Sequence, residues 1–208
     1  MENQVYPELT QRFERFTNDF HNIPTERKGV LHEISTYITE KLQKNELVRL
    51  NFICTHNSRR SHISQLWAQA CAAYYQINSV HCYSGGTEAT AFNPRAVNAM
   101  REAGFKIIPT DQSGNPRYEV RFSNFHPALI AFSKVYSDPF NPASHFAAIM
   151  TCSQADENCP LVIGAENRIS LPFNDPKDFD GTPMEAEKYR ERVLEIGTEI
   201  SYAFSMVV

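Results

Sequence analysis

Leu47-Val48-Arg49-Leu50-Asn51-Phe52-Ile53 runs straight into Cys54-Thr55-His56-Asn57-Ser58-Arg59-Arg60-Ser61, and the fold follows from that junction. The first seven residues are rich in branched and aromatic side chains and read as a central strand. Beyond the polar stretch, Ile63, Leu66, Trp67, Ala70, Cys71 and Tyr74 recur at helical spacing. Strand, polar loop and helix in that order open a βαβ unit, so the chain reads as α/β.

Downstream, residues 79–83 read as a second strand, followed by Gly85-Gly86-Thr87. Asn93-Pro94 opens a helix that runs to about residue 103 and stops at Gly104. Residues 105–145 are less regular: 118–122 and 128–132 are strand-like and predict a hairpin or a strand plus an insertion. The apolar run 146–151 ends at Cys152. Thr182-Pro183-Met184-Glu185 reads as a capping box with proline at the first helical position, continued by Val193, Ile196, Ile200 and Phe204. Upstream, Leu9, Phe13, Phe16 and Phe20 form one helical stripe, broken at Asn22-Ile23-Pro24. Thr25 is the expected N-cap of a second helix carrying Leu31, Ile34, Ile38 and Leu42. With no chemical motif there, residues 1–45 read as a helical extension packed on a core domain of residues 46–208.

The 208 residues allow one sizeable domain with a real core. With 42% hydrophobic and 21% charged residues the composition is that of an ordinary soluble globular protein. A net charge of −4 gives no electrostatic ground for nucleic acid or an anionic membrane surface as partner. No run reaches the ~18 to 20 apolar residues of a membrane span, and the charged N-terminus lacks an apolar signal core, so a cytoplasmic location is expected. Five cysteines, at 54, 71, 82, 152 and 159, are an odd number and argue for reduced thiols. Histidines are scattered without ligand spacing, so no metal centre is expected.

A nucleophilic cysteine needs surroundings that favour its thiolate. A strand-to-helix loop offers them through the unpaired N–H groups and positive dipole end of the helix. The amides of Thr55, His56, Asn57, Ser58, Arg59 and Arg60, curled into a nest, would hold three oxygens of a tetrahedral oxyanion. Arg60 would fork further oxygens, and the Ser61 hydroxyl would hydrogen-bond the Cys54 sulfur. The alternative is a cysteine that merely ends a buried strand.

Cys152 and Cys159 bracket a polar stretch, expected to be a loop with both thiols near the surface and near each other. They read either as a redox pair, able to attack an adduct on Cys54 and pass a disulfide outward, or as two unrelated cysteines. Cys71 and Cys82 read as packing residues. Asp175, in Phe173-Asn174-Asp175-Pro176, is a candidate acid for a leaving oxygen, with an Asx-type turn as the alternative and Asp178 and Asp180 as competitors.

Together these elements resemble the low-molecular-weight protein tyrosine phosphatase superfamily and, within it, the thioredoxin-coupled arsenate reductases. Cys54-Thr-His-Asn-Ser-Arg-Arg-Ser61 is similar to the family's Cys-Thr-Gly-Asn-Ser-Cys-Arg-Ser loop. Ser84-Gly-Gly-Thr-Glu88, with Asn93-Pro94 and Ala96-Val97, is similar to the reductases' Ser-Ala-Gly-Thr-Glu segment and the helix after it. Cys152 to Cys159, with Pro160 following, has the reductase spacing, and Phe173-Asn-Asp-Pro176 resembles the general-acid loop. The resemblance covers residues 47–204 apart from an insertion near 110–140.

It implies a four-stranded parallel sheet flanked by helices. It implies that Cys54 attacks arsenate, that Arg60 and the loop bind its oxygens, and that Asp175 protonates the departing hydroxyl. Cys152 would then attack Cys54 and release arsenite, and Cys159 would take over the disulfide for reduction by a thioredoxin-like partner. No cofactor is required, although Asn57 matches a residue that in the family sometimes lies beside potassium. His56 replaces a glycine, and Arg59 replaces a loop cysteine, adding positive charge at the mouth. With the extension and insertion, these departures leave room for a phosphatase that forms a phosphocysteine at Cys54 on a phosphoester. A third alternative is a non-catalytic oxyanion-binding or redox-sensing module.

Overall fold

The computed structural model describes residues 4–159 and 161–207, so Pro160 lies outside the described residues. Strand β1 (Val48–Cys54) is buried along its whole length except at Arg49, as expected of a parallel strand covered on both faces. It pairs in parallel with β2 (Val80–Gly86) on one side and β6 (Phe146–Met150) on the other. Strand β7 (Ala165–Ser170) adds to β6, giving the order β2-β1-β6-β7. Helix α3 (Arg60–Tyr74) packs on β1, β2 and α6 (Glu185–Ser205), and α4 (Pro94–Ala103) packs on α6. This is the parallel sheet with flanking helices implied above.

The first forty-odd residues are part of this core. Helix α1 (Pro7–Asp19) lies on α6, and α2 (Thr25–Gln43) contacts α6, β1 and β7. Leu9, Phe13, Phe16, Leu31, Ile34 and Ile38 are buried in the same cluster as Leu50 and Trp67. The rings of Phe13 and Phe16 meet Trp67 edge-on at 5.7 and 5.1 Å, a favoured aromatic geometry. Gly197 on α6 makes the room: a Cβ there would lie 2.6 Å from the Phe16 ring and 2.9 Å from Trp67.

Two expected caps differ. Thr25 is the first helical residue of α2 rather than its cap, because the carbonyl of Pro24 already accepts Lys28 N–H at 2.9 Å. Pro183 lies in a turn before α6, and the Glu185 carboxylate accepts from the N–H of Gly181 at 2.6 Å. The Thr182 carbonyl is meanwhile taken by Glu185 N–H, and the cap lies at Met184, two residues later than expected.

The irregular segment forms a separate antiparallel sheet of β3 (Lys106–Pro109), β4 (Tyr118–Arg121) and β5 (Leu129–Ala131), one strand more than a hairpin. The chain returns from it past Lys134, and Val135 bridges Gly86 at the end of β2. The insertion thus places residues 133–136 beside the loop that follows Cys54. No helix among the described residues is long and apolar enough to cross a membrane.

Candidate active site

Strand β1 delivers Cys54 opposite Gly86, and α3 begins six residues later. Between them the carbonyls turn outward. Thr55 O accepts Glu88 N–H at 2.9 Å, His56 O accepts the Ser133 hydroxyl at 2.9 Å, and Ser58 O accepts Asn93 N–H at 2.9 Å. In a planar trans peptide the next N–H points the opposite way, so the amides of His56, Asn57 and Arg59 face inward. Among the described residues no acceptor takes the N–H of Thr55, His56, Asn57, Ser58, Arg59 or Arg60. The loop is therefore a concave set of donors at the positive end of a fifteen-residue helix.

Its shape has identifiable braces. Asn57 takes the left-handed conformation, φ 44°, which asparagine tolerates better than most residues. The side chain at His56 is accommodated because the positive φ falls one residue later; its ring pairs with Glu88 at 3.0 Å on the rim. Asn57 Nδ2 donates to Ser61 Oγ at 2.8 Å, and Oδ1 accepts Lys134 N–H at 2.9 Å. Ser61 Oγ lies 3.1 Å from Cys54 Sγ. Ser58 Oγ is turned away, donating to Ala91 O at 2.7 Å. Gly86 lies directly beneath, where a Cβ would come within 2.6 Å of Thr55 O and 2.8 Å of Asn57 N.

Arg60 leaves the first turn of α3 and donates from Nη1 to Phe173 O at 2.9 Å and from Nη2 to Asp175 Oδ2 at 2.6 Å. Its Nε is buried and unpartnered among the described residues. Asp175 also accepts Lys177 N–H at 3.1 Å, capping a 3-10 turn over Pro176–Phe179. The turn reading of Asp175 therefore holds, and the same carboxylate is also paired with Arg60. Of its competitors, Asp178 is exposed, and Asp180 faces Tyr189 and Arg59.

Arg59 is not at the mouth. It is 9% exposed, and its Nε donates to Tyr189 Oη at 2.8 Å, with Asp180 at 3.6 Å and Asp175 at 3.8 Å. Tyr189 in turn donates to Asp180 Oδ1 at 2.8 Å, and burial pushes its phenol up to about 12. Neither partner was visible in the sequence, since Tyr189 is one aromatic position among several on α6.

The second pair of thiols also differs from expectation. Residues between them form a short helix, α5 (Ser153–Asn158), and both thiols are buried. Cys152 Sγ caps this helix by accepting Ala155 N–H at 3.3 Å, and it lies 3.4 Å from Thr55 Oγ1. Asp156 anchors the helix to β7 through Arg168 at 2.6 Å and Ser170 at 2.6 Å. Cys54, Cys152 and Cys159 share one buried cluster with Ile53, Met150, Ala155 and Val162. Cys71 and Cys82 lie in the main core, where burial pushes both thiols up.

Behind the loop sits Lys134, 3% exposed, with Nζ 4.6 Å from the Phe132 ring centre and 5.4 Å from that of Phe140. Burial lowers its ammonium to about 8. His62, stacked on Phe92, is held well below its usual range by burial and then by the Lys134 charge. The surroundings of Asn57 do not fit a potassium ion. Its Oδ1 is held by Lys134 N–H and its Nδ2 by Ser61 Oγ, so both side-chain ends are already engaged.

No family model matches the chain. It is 32% identical to an arsenate reductase of Bacillus licheniformis over 153 residues, covering 72% of this chain and 89% of that protein. It is 31% identical to an arsenate reductase of Bacillus subtilis over 150 residues, with the same shares covered, 72% and 89%. Among solved structures, a low-molecular-weight phosphotyrosine phosphatase from Vibrio cholerae O395 superposes with a TM-score of 0.51 at 12% identity, over 74% of this chain and 93% of that one. An arsenate reductase in the phosphate binding state gives 0.50 at 17% identity, over 78% and 100%.

Proposed function

The chain belongs to the low-molecular-weight protein tyrosine phosphatase superfamily, together with the arsenate reductases, and on that premise we propose that it reduces arsenate through Cys54. It is an enzyme of the reductase or phosphatase type. The observation that carries the reductase reading is the gathering of Cys54, Cys152 and Cys159 in one buried cluster, two thiols more than hydrolysis needs.

The inward amides bind the arsenate oxygens, and Arg60 adds its unpartnered Nε. The Cys54 thiolate attacks arsenic, and Asp175 gives a proton to the departing hydroxyl, which leaves as water. The Cys152 thiolate then attacks Cys54 Sγ. The electron pair of the breaking S–As bond stays on arsenic, reducing it to arsenite and leaving a Cys54–Cys152 disulfide. Cys159 attacks Cys152, Cys54 departs as thiolate, and the Cys152–Cys159 disulfide is reduced by an external dithiol of the thioredoxin kind. These cysteines flank a helix whose axial rise over seven residues is about 10 Å, beyond the ~7 Å Cα separation a disulfide spans. Helix α5 therefore unwinds at this step. Such chemistry needs a reducing compartment, which supports a cytoplasmic location.

A second reading, supported by the loop, Arg60 and Asp175 alone, is hydrolysis of a phosphoester through a phosphocysteine. Cys152→Ser separates the two. The proposal expects loss of thioredoxin-dependent arsenate turnover, with any aryl-phosphate hydrolysis within about twofold of wild type. Surviving arsenate turnover sinks the relay.

A further inference from the structure

We propose that Arg59 is a positioning residue, a strut that holds the acid-bearing segment 173–180 over the loop when Arg60 turns to the oxyanion. This rests on the reading of Cys54 as nucleophile and Asp175 as acid.

As the structure stands, both terminal nitrogens of Arg60 grip that segment, at Phe173 O and Asp175 Oδ2. An oxyanion in the loop that takes the free Nε competes for one of these donors, because a guanidinium fork needs a terminal nitrogen as its second prong. If Arg60 were the sole tie, engaging the substrate would release the acid just as it is needed. Arg59 supplies a second tie that the oxyanion does not contest. Its side chain leaves the loop at the entry to α3, is buried, and ends between Tyr189 of α6 and the carboxylates of Asp180 and Asp175. Tyr189 donates to Asp180, so guanidinium, phenol and carboxylate close a triangle fastened to α3, α6 and the acid segment. With its phenol pushed up to about 12, Tyr189 keeps the proton that this bond requires. Arg95 reinforces the outside, 3.7 Å from Asp180 and 2.7 Å from Glu185.

The residue type matters. Arginine hydrogen-bonds Tyr189 through Nε while its planar charge faces two carboxylates, whereas lysine is a compact point charge and alanine or cysteine reaches none of them. After Arg60 turns, Asp175 still faces a fixed positive charge at 3.8 Å, which keeps its side chain over the site.

The test is a double-mutant cycle on arsenate reduction with thioredoxin as reductant, combined with amide hydrogen exchange. Arg59→Ala is expected to lower kcat by about tenfold with KM within about twofold, and Arg59→Lys to recover part of the loss. In an Asp175→Asn background the same Arg59→Ala change is expected to matter by less than about twofold, because the strut then has no acid to place. Amides of residues 173–181 are expected to exchange about tenfold faster in Arg59→Ala, with residues 61–74 unchanged. Tyr189→Phe, which keeps the ring in place, is expected to reproduce the exchange pattern should Arg59→Ala fold poorly. The strut is overturned by unchanged exchange in 173–181, by effects that multiply in the cycle, or by a rise in KM alone, which marks direct contact with the anion. A wild type that reduces no arsenate overturns the functional reading instead, and the exchange arm still decides the strut.

Discussion

Two cysteines in this protein begin from the same design and end differently. Cys54 ends β1 and leads to α3; Cys152 lies two residues past the end of β6 and caps α5. Both strands are parallel neighbours, so both sulfurs emerge at the same end of the sheet. The first helix has fifteen residues, and its approach is held by Asn57, Ser58, Arg59 and Ser61. The second has six, and Asp156 fastens it through Arg168 and Ser170. The difference matches what the proposed relay asks: an anion cradle works by staying still, while a segment that is to bridge its own ends would have to come undone. On that reading, rigidity and release are set by how many side chains tie each helix start, not by the strand-to-helix motif itself.

Gly86→Ala is expected to break the rigid member most severely. Its Cβ would press on Thr55 O and Asn57 N, both backbone atoms, for a loss of about 3 kcal/mol or more and collapse of activity at Cys54. Denaturant unfolding and single-turnover assays check this; an active, fully stable variant means the loop is less fixed than described. Lys134→Met tests the loop from behind and is expected to act in the opposite direction. The ammonium is lowered to about 8 in the fold, while the unfolded chain titrates near 10.5. Between those values the unfolded state binds the extra proton, so wild-type stability rises with pH across that window. The variant lacks that rise and is expected to be more stable at pH 7 by about 2 kcal/mol. Its backbone N–H to Asn57 is retained, so Cys54 reactivity should change little; slowed chemistry would give Lys134 a larger part. The smallest effect is expected in the releasable member. Asp156→Asn weakens the anchor by about 1 kcal/mol, read as roughly fivefold faster exchange in residues 153–158 with the 54–61 amides unaffected.

The legible parts of this molecule were those in which local pattern and final environment agree. Strand β1 carries five apolar residues in seven because it is buried on both faces, and the helical stripes of α1, α2, α3 and α6 match what they bury. Arg60 and Asp175 lie together, and the Ser61 hydroxyl lies beside Cys54, as the loop pattern suggests. Strand β7, Ala-Glu-Asn-Arg-Ile-Ser, gave no signal, since an edge strand needs little apolar surface. Strand β3 exposes three of its four residues, so no alternation marks it. Helix α5 is too short for periodicity and starts at a sulfur cap, which composition does not announce. Arg59 read as a charge at the mouth because nothing local says that its long side chain turns inward to a tyrosine 130 residues away. Such partners belong to tertiary geometry alone.

The pairing of Phe16 with Gly197 has a consequence for handling the chain in pieces. A missing side chain on α6 is filled by a ring from α1, with Trp67 as the third wall. A chain cut after Gln43 would open that slot to water and uncover the faces of α6 and Trp67 that α1 and α2 now cover. Apolar surface of that extent promotes self-association. A minimal enzyme trimmed to its chemical motifs would keep Cys54 and be lost to precipitation.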